Sequence, residues 1–169
     1  MTDLSASQGA RALPNADKSV REAGVADLAG ILELERSGFA AAEQWSEDSW
    51  RSELAEAAMT VLIIGKDRPL GVIALRAAGN DVELDRIVVH PAARRTGIAR
   101  SLINFALDRL HDADEMILEV RSGNAAAIAL YRSFGFAELI TRADYYGPGR
   151  DAVIMKLNLQ DHRAGGVPA

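Results

Sequence analysis

The sequence predicts one domain of the α/β class, with a central mixed β-sheet flanked by helices. The chain has 169 residues, which suits one domain with a sizeable core. Its first strand-like segments follow one another as antiparallel strands do, whereas strand-like and helix-like segments alternate in the second half. No repeat or linker interrupts residues 18–159. Residues 1–17 and 160–169, which are polar or rich in small side chains, are predicted to be poorly ordered tails.

Composition narrows the classes of function. Hydrophobic residues make up 49% of the chain and charged residues 25%, as in ordinary soluble proteins. The net charge of -5 argues against nucleic acid as a partner and is compatible with an amine or a basic peptide. The lack of cysteine excludes disulfides, thiolate metal sites and cysteine nucleophiles.

The distribution of apolar residues predicts neither a secretory signal nor a membrane-spanning helix. The first 15 residues lack the basic start and apolar run of a secretory signal. No apolar stretch approaches the ~20 residues that span a bilayer. We therefore expect a cytoplasmic protein without a membrane partner, working as a monomer or weak dimer.

The first half of the domain is predicted to contain two helices and four strands. The first helix begins at Asp27 and carries apolar residues at helical spacing as far as Leu34. The second follows Ser46, with Trp50 and Leu54 four residues apart. Short apolar or alternating runs bounded by turn residues predict the strands, at 19–23, 60–64, 70–75 and 82–89.

The second half alternates between helices and strands. A helix over 96–110 presents one apolar stripe, and a second over 125–134 is stopped by Gly135. Strands are predicted at 116–120, 136–141 and 152–159. This order completes the expected mixed sheet.

A basic loop between a strand and a helix is the first candidate site. The strand ends at Val89, and Pro91 prevents further ladder hydrogen bonds. Gly97 and Ala99 lie at the helix start, where small residues let phosphate oxygens approach unpaired N–H groups. Three arginines add positive charge: Arg94, Arg95 and Arg100. The pattern suits a pyrophosphate, although a basic loop that merely caps a helix would look similar.

A strand and the helix after it form the second candidate site. Glu119 lies between two apolar strand residues, where burial would raise its pKa and let it take a proton from an ammonium group. Asn124 lies at the helix start, and Tyr131 shares its helix face two turns later. A tyrosine hydroxyl at that position could protonate a leaving thiolate.

Each of these residues also has a structural interpretation. Glu119 could form an ion pair with Arg121, and Asn124 could simply cap its helix. Tyr131 could pack in the core with its hydroxyl at the edge. Their combination behind a phosphate cradle favours function.

The basic loop resembles the acetyl-CoA signature of the GNAT N-acetyltransferases, Arg/Gln-x-x-Gly-x-Gly/Ala. The matching residues are Arg94, Arg95, Thr96, Gly97, Ile98 and Ala99. The resemblance implies that the segment from Arg94 to Arg100 holds the pyrophosphate of acetyl-CoA. It also implies that main-chain groups of Ile87, Val88 and Val89 hold the pantetheine and the thioester carbonyl.

The second site resembles one group within that superfamily, the RimI enzymes that acetylate the N-terminal alanine of ribosomal protein S18. The matching pattern is Glu119-Val120-Arg121-x-x-Asn124-x-x-Ala127-x-x-Leu130-Tyr131-x-x-x-Gly135-Phe136. The resemblance implies Glu119 as general base and Tyr131 as general acid, and it places Asn124 against the cofactor. An N-terminal peptide, most simply that of ribosomal protein S18, is the implied partner.

Two further segments match the substrate loops of that group. Trp45 belongs to a Trp-Ser-Glu match in which Gln44 replaces a proline. Tyr145 and Tyr146 match a Tyr-Tyr hairpin in which Gly147 stands where a proline is common. We expect the three aromatic residues to form the mouth of a peptide site, with ordinary loop packing as the alternative.

Other readings of the chain remain open. The acceptor could be a lysine side chain or a small amine, and a non-catalytic acetyl-CoA-binding protein would have the same fold. The three histidines show no metal-ligand spacing, so no metal site is expected. These three are His90, His111 and His162.

Overall fold

The computed structural model describes residues 19–66 and 68–165. The expected tail over 1–17 and residues 166–169 of the second tail lie outside these ranges. The strands are β1 Val20–Glu22, β2 Met59–Ile64, β3 Gly71–Ala78, β4 Asp81–Val89, β5 Glu115–Arg121, β6 Ala137–Arg142 and β7 Ala152–Asn158. The helices are α1 Leu28–Gly38, α2 Glu47–Ala55, α3 Ile98–Leu107, α4 Ala125–Arg132 and α5 Leu159–Arg163.

All seven strands join one mixed sheet, in the order β1-β2-β3-β4-β5-β7-β6. The first four strands pair as antiparallel neighbours. β4 and β5 run parallel, and β7 pairs antiparallel with both β5 and β6. The predicted mixed α/β sheet is therefore confirmed.

Helices cover both faces of the sheet, so the core has two parts. In β2, Leu62 and Ile64 point to one face, where α3 and α4 pack around Leu102. Val61 and Ile63 point to the other face, where α1 and α2 pack around Trp50. This alternation follows from the two-residue period of a strand.

The centre of the sheet opens between β4 and β5. Their pairing ends at Leu84 and Leu118, although β4 continues to Val89 and β5 to Arg121. A bulge in β4 places Asp85 as an extra residue opposite β3 at this point. Because a bulge bends its strand, the two C-terminal strand ends separate. Ligands bind α/β sheets at such ends, which makes the opening a candidate site.

The chain end differs from the expectation of a poorly ordered tail from residue 160. Residues 160–163 belong to α5, which Asn158 caps by accepting a hydrogen bond from the Asp161 N–H group. Arg163 donates to the carbonyls of Leu110 and Ala113, both at 2.6 Å. Polar contacts with the α3–β5 connection thus order a segment that has little apolar pattern of its own.

Within the described ranges, no helix is long and apolar enough to cross a bilayer.

Candidate active site

The basic loop adopts a backbone that few residues other than glycine adopt readily. Arg95 has a φ of 59° and Gly97 a φ of 90°, both in the left-handed region. The Thr96 hydroxyl donates to the Ala93 carbonyl at 2.7 Å and closes the turn. A Cβ atom on Gly97 would meet no atom within 4 Å. The N-terminus of α3, including Ile98 and Ala99, therefore opens onto free space, as an anion cradle requires.

The three arginines of the loop region remain exposed. The Arg94 guanidinium donates to the carbonyls of Val89 and Gly38, both at 3.4 Å. Arg100 donates to the Ser133 hydroxyl at 2.9 Å. Within the described chain, no carboxylate forms an ion pair with either of them or with Arg95. The positive charge of this patch is thus available to an anionic ligand, and its residues fit a pyrophosphate.

The end of β4 lines the opening in the sheet. Ile87, Val88 and Val89 pair with β3 on one side, and beyond Leu84 the described register shows no pairing with β5. Val88 is buried on the α1/α2 face, and Ile87 and Val89 pack toward α3. Main-chain groups on the β5 side of this segment are therefore open to a ligand.

Asn124 begins α4. Its side-chain oxygen accepts a hydrogen bond from the Ala127 N–H group at 3.2 Å, so the structure contains the helix cap. The residue is exposed beside the opening. Capping does not exclude a contact with the cofactor.

Glu119 is exposed, and the expectation that it would be buried is wrong. Its strand neighbours point into the α3/α4 core, whereas Glu119 points to the α1/α2 face beyond the cover of those helices. The Arg142 guanidinium donates to its carboxylate at 3.3 Å. The Tyr145 hydroxyl donates to the same carboxylate, and this hydrogen bond raises the pKa of Tyr145. Arg121 pairs with Glu43 instead of Glu119.

Tyr131 has the opposite environment, since only 4% of it is exposed. Its ring packs at 5.7 Å from that of Phe136. Burial raises the pKa of Tyr131 far above its ordinary value, and the nearby Tyr146 adds a smaller contribution. Burial also raises the pKa of Tyr146, with a further contribution from the Glu119 charge. Tyr146 is thus a neighbour that Glu119 and Tyr131 share.

The aromatic residues differ in exposure. Tyr145 and Tyr146 meet edge to face at 5.1 Å and are 49% and 37% exposed. Trp45 is half-buried and packs 5.0 Å from Trp50. Two of the expected mouth residues therefore face solvent, and the third packs against the α1/α2 core.

Each departure from the family pattern has a local explanation. The Gln44 side-chain amide donates to the Phe39 carbonyl at 2.8 Å and holds the loop where a proline would otherwise restrict it. Gly147 has a φ of 104°, which proline cannot adopt. The hairpin therefore makes a turn that requires glycine at this position.

The comparisons with known proteins agree with this geometry. Residues 20–159 match the family model described as an acetyltransferase (GNAT) domain. The chain belongs to the GNAT acetyltransferase family. A Salmonella typhimurium relative, the [ribosomal protein bS18]-alanine N-acetyltransferase, is 33% identical over 136 residues, which is 78% of this chain and 90% of that protein.

Solved GNAT structures share the fold. The ribosomal-protein-S18-alanine N-acetyltransferase of Escherichia coli superposes with a TM-score of 0.77 at 28% identity, covering 84% of this chain and 94% of that one. The PaiA N-acetyltransferase of Thermoplasma acidophilum, solved with coenzyme A, gives a TM-score of 0.71 at 20% identity, covering 83% and 98%. This GNAT chain is accordingly an N-acetyltransferase, and family membership implies that it uses acetyl-CoA.

Sequence reasoning missed several charged residues of this GNAT site. Arg142 contacts Glu119 from β6, and Glu43 contacts Arg121 from the α1–α2 connection. Glu35 and Arg86 form a buried ion pair. Glu35 follows Ile31 by four residues, so a charge within the apolar stripe of α1 was the available signal. Arg86 and Arg142 lie far along the chain from their carboxylate partners, and no local sequence pattern indicates these contacts.

Proposed function

We propose that this protein acetylates the α-amino group of a protein N-terminus, and that its substrate is the N-terminal alanine of ribosomal protein bS18. One observation carries the proposal. Tyr146 interacts electrostatically with both the exposed, hydrogen-bonded Glu119 and the buried Tyr131. Such a pair can accept a proton on the solvent side and supply one from the buried side.

The cradle supports the assignment of the cofactor-binding residues. Acetyl-CoA, when bound, supplies an acyl group activated as a thioester. The pyrophosphate would be held by Arg94, Arg95, Thr96, Gly97, Ile98, Ala99 and Arg100. Main-chain groups of Ile87, Val88 and Val89 would hold the pantetheine, with Asn124 alongside at the start of α4. An open helix N-terminus supports this arrangement, as do arginines that form no ion pair with a carboxylate among the described residues.

Glu119 would act as the general base for the incoming amine. Its carboxylate accepts hydrogen bonds from Arg142 and Tyr145, so an ammonium group must compete with these donors. The proton of the ammonium group passes to Glu119. N–H groups near Val89 would stabilise the oxyanion that forms in the transition state.

Tyr131 would act as the general acid. Burial keeps the proton on its hydroxyl across the physiological pH range. That proton is the one required by the sulfur when the acyl group leaves it. No covalent enzyme intermediate is needed, because positioning and electrostatics supply the catalysis.

The acceptor assignment draws on the relatives and on the mouth. The Salmonella and Escherichia coli relatives are named as alanine N-acetyltransferases of ribosomal protein bS18 or S18. Tyr145 and Tyr146 lie beside Glu119, and in the proposed site Trp45 would complete an aromatic approach from the α1/α2 face. An extended peptide terminus suits such an aromatic approach better than a compact amine does.

The test measures coenzyme A release with acetyl-CoA and a peptide beginning Ala-Arg-Tyr. Glu119→Gln and Tyr131→Phe should each lower kcat by roughly 10²–10⁴-fold, the usual contribution of acid–base catalysis. Acetyl-CoA affinity should stay unchanged in both. Glu115→Gln is the matched control, because Glu115 lies on the same strand and face and pairs with Lys156 at 2.8 Å. It should keep wild-type turnover.

Two results would contradict the proposal in different ways. Wild-type turnover in both site variants would remove the acid–base assignment. If an N-terminally blocked peptide with an internal lysine, or a small amine, reacted faster than the Ala-Arg-Tyr peptide, the proposed acceptor would be wrong. A panel of these three acceptor types separates the outcomes.

A further inference from the structure

A buried ion pair lies between α1 and β4, beneath the α1–α2 connection. Glu35 is only 1% exposed and is the buried charged residue of the described core. The Arg86 guanidinium donates to both of its carboxylate oxygens. The pair lies on the α1/α2 face of the sheet, opposite the face that carries α3 and the cradle.

The same two side chains hold the connection that carries Trp45. Arg86 donates to the Glu43 carbonyl at 2.6 Å, and its guanidinium stacks 3.7 Å from the Phe39 ring. The main-chain N–H group of Trp45 donates to the Glu35 carboxylate at 2.9 Å. Three points of the segment from Phe39 to Trp45 are thus tied to one ion pair.

Stability alone gives little reason for such a pair. Taking two charges out of water costs about as much as their attraction returns, so apolar residues of similar size would serve as well. What an apolar pair could not supply is the directed hydrogen bonding to Glu43 and Trp45. The planar fork of arginine also reaches several acceptors at once, which a lysine ammonium cannot do in the same geometry.

We propose that Arg86, together with Glu35, is a positioning residue that fixes the acceptor side of the active site. The proposal rests on the proposed peptide function. Arg86 holds the segment from Phe39 to Trp45 against β4, and Glu43 in that segment contacts Arg121 of β5. Loosening Arg86 displaces the acceptor mouth and leaves the cofactor side in place.

The first experiment compares Arg86→Lys with wild type in steady-state kinetics with both substrates. The KM for the Ala-Arg-Tyr peptide should rise about tenfold, since misplaced contacts weaken binding of the peptide in the ground state and the transition state alike. The kcat and the KM for acetyl-CoA should stay within about twofold of wild type. Arg76→Lys is the matched control, because Arg76 also extends from the sheet to carboxylates, Asp85 at 2.9 Å and Glu53 at 3.2 Å, away from the mouth. It should leave all three constants unchanged.

The second experiment needs no acceptor. The chain has two tryptophans, and Trp50 is fully buried, so acrylamide quenching of fluorescence reports mainly on Trp45. Arg86→Lys should increase the quenching constant about twofold as the segment loosens. Arg76→Lys should not. If Arg86→Lys does not fold, Glu35→Gln replaces it, because that change removes the charge and keeps an acceptor for Trp45.

The outcomes separate the two proposals. Unchanged quenching and an unchanged peptide KM in a folded Arg86→Lys protein would overturn the positioning role. An equal rise in both KM values would also overturn it, since that indicates a general loss of structure. Increased quenching in a protein whose wild type acetylates no N-terminal peptide would support the positioning role and reject the proposed substrate.

Discussion

The two side chains proposed for acid–base chemistry have opposite surroundings. Glu119 is exposed and accepts hydrogen bonds from Arg142 and Tyr145. Tyr131 is buried, and its raised pKa keeps it protonated. In the proposed mechanism, the exposed carboxylate can pass the proton that it accepts to bulk water, whereas burial shields the Tyr131 hydroxyl from such exchange.

The exposed ion pairs around the mouth contribute mainly to geometry. Glu43 contacts Arg121 and lies 3.9 Å from Arg150, and this links the α1–α2 connection to β5 and to the β6–β7 hairpin. Pairs of this exposure stabilise a fold by at most about 1 kcal/mol. Their effect is to hold three separate segments in one arrangement.

A pH-dependent contribution to stability is expected at Asp27. The Arg21 guanidinium and the Gly24 N–H group donate to its carboxylate, and the hydrogen bond from Arg21 holds the pKa of Asp27 below 3.8. Because the folded pKa is lower than the unfolded one, the stabilisation is present at neutral pH and is lost as the pH falls through the folded pKa. Asp27→Asn should lower the free energy of unfolding by about 1 kcal/mol or less at pH 7, because the Arg21 side chain is half exposed.

Urea unfolding from pH 7 downward checks this expectation. The difference between Asp27→Asn and wild type should shrink below the pH of 3.8. Glu33→Gln is the control. The ion pair that Glu33 forms with Arg68 at 3.2 Å has both side chains exposed, so it should contribute almost nothing to the free energy of unfolding. A difference that stays constant with pH would show that the charge of Asp27 is not the cause.

At the scale of elements, one bulge and one helix start shape the cofactor side. The extra residue Asp85 bends β4 away from β5, and the opening that results ends beside α3. Gly97 begins α3 in a left-handed conformation, with open space where a side chain would lie. The separation of the strands and the exposed helix N-terminus therefore occur together, at the C-terminal ends of the central strands.

Replacing Gly97 with alanine should have two separable effects. The left-handed φ of 90° should cost about 1–2 kcal/mol of unfolding free energy for a residue with a Cβ atom. The added methyl group should also occupy the space proposed for phosphate oxygens and weaken acetyl-CoA binding about tenfold or more. Calorimetric titration and urea unfolding measure the two effects.

Gly79 provides the matched control. It has a φ of 65° in the turn between β3 and β4, and a Cβ atom there would also meet nothing within 4 Å. Gly79→Ala should lose as much stability as Gly97→Ala and bind acetyl-CoA normally. Equal losses of affinity in the two variants would mean that backbone strain, and not the cradle, is responsible.

At the scale of the whole molecule, the sheet separates the cradle proposed for acetyl-CoA from the mouth proposed for the acceptor. The core around α3 and α4 supports the proposed cofactor cradle, and the core around α1 and α2 supports the acceptor mouth. The β4–β5 opening connects the two faces at the position of Glu119. With this arrangement, a change at Arg86 is expected to raise the KM for the peptide and to leave the KM for acetyl-CoA unchanged.

Charge is distributed unevenly over the molecule, and this predicts a dependence on salt. The chain carries a net charge of -5, yet the cradle presents arginines that pair with no described carboxylate. Acetyl-CoA affinity should fall about three- to tenfold between 50 and 500 mM salt, because exposed charges are screened. Arg95→Gln should flatten this dependence. Arg109→Gln should not, because Arg109 stacks 3.5 Å from the Phe105 ring near the far end of α3. An identical salt dependence in all three proteins would contradict the cradle.

The sequence by itself determined the features that depend on local pattern. Strand periods, helix starts at Asp27 and Ser46, and the glycine loop before α3 all depend on residues within a few positions of one another. The family could be recognised for the same reason, since the Arg94 to Ala99 loop is one short continuous segment. Local steric and hydrogen-bonding rules are sufficient for such features.

Tertiary structure alone decided which polar residues became part of the site. Its position between two apolar strand residues predicted burial for Glu119, but the side chain points to the face opposite theirs and is exposed. Arg86 and Glu35 lie 51 positions apart in the chain, and Arg142 reaches Glu119 across 23. Periodicity contains no information about which distant charge fills a given space, because that depends on how the helices pack against the finished sheet.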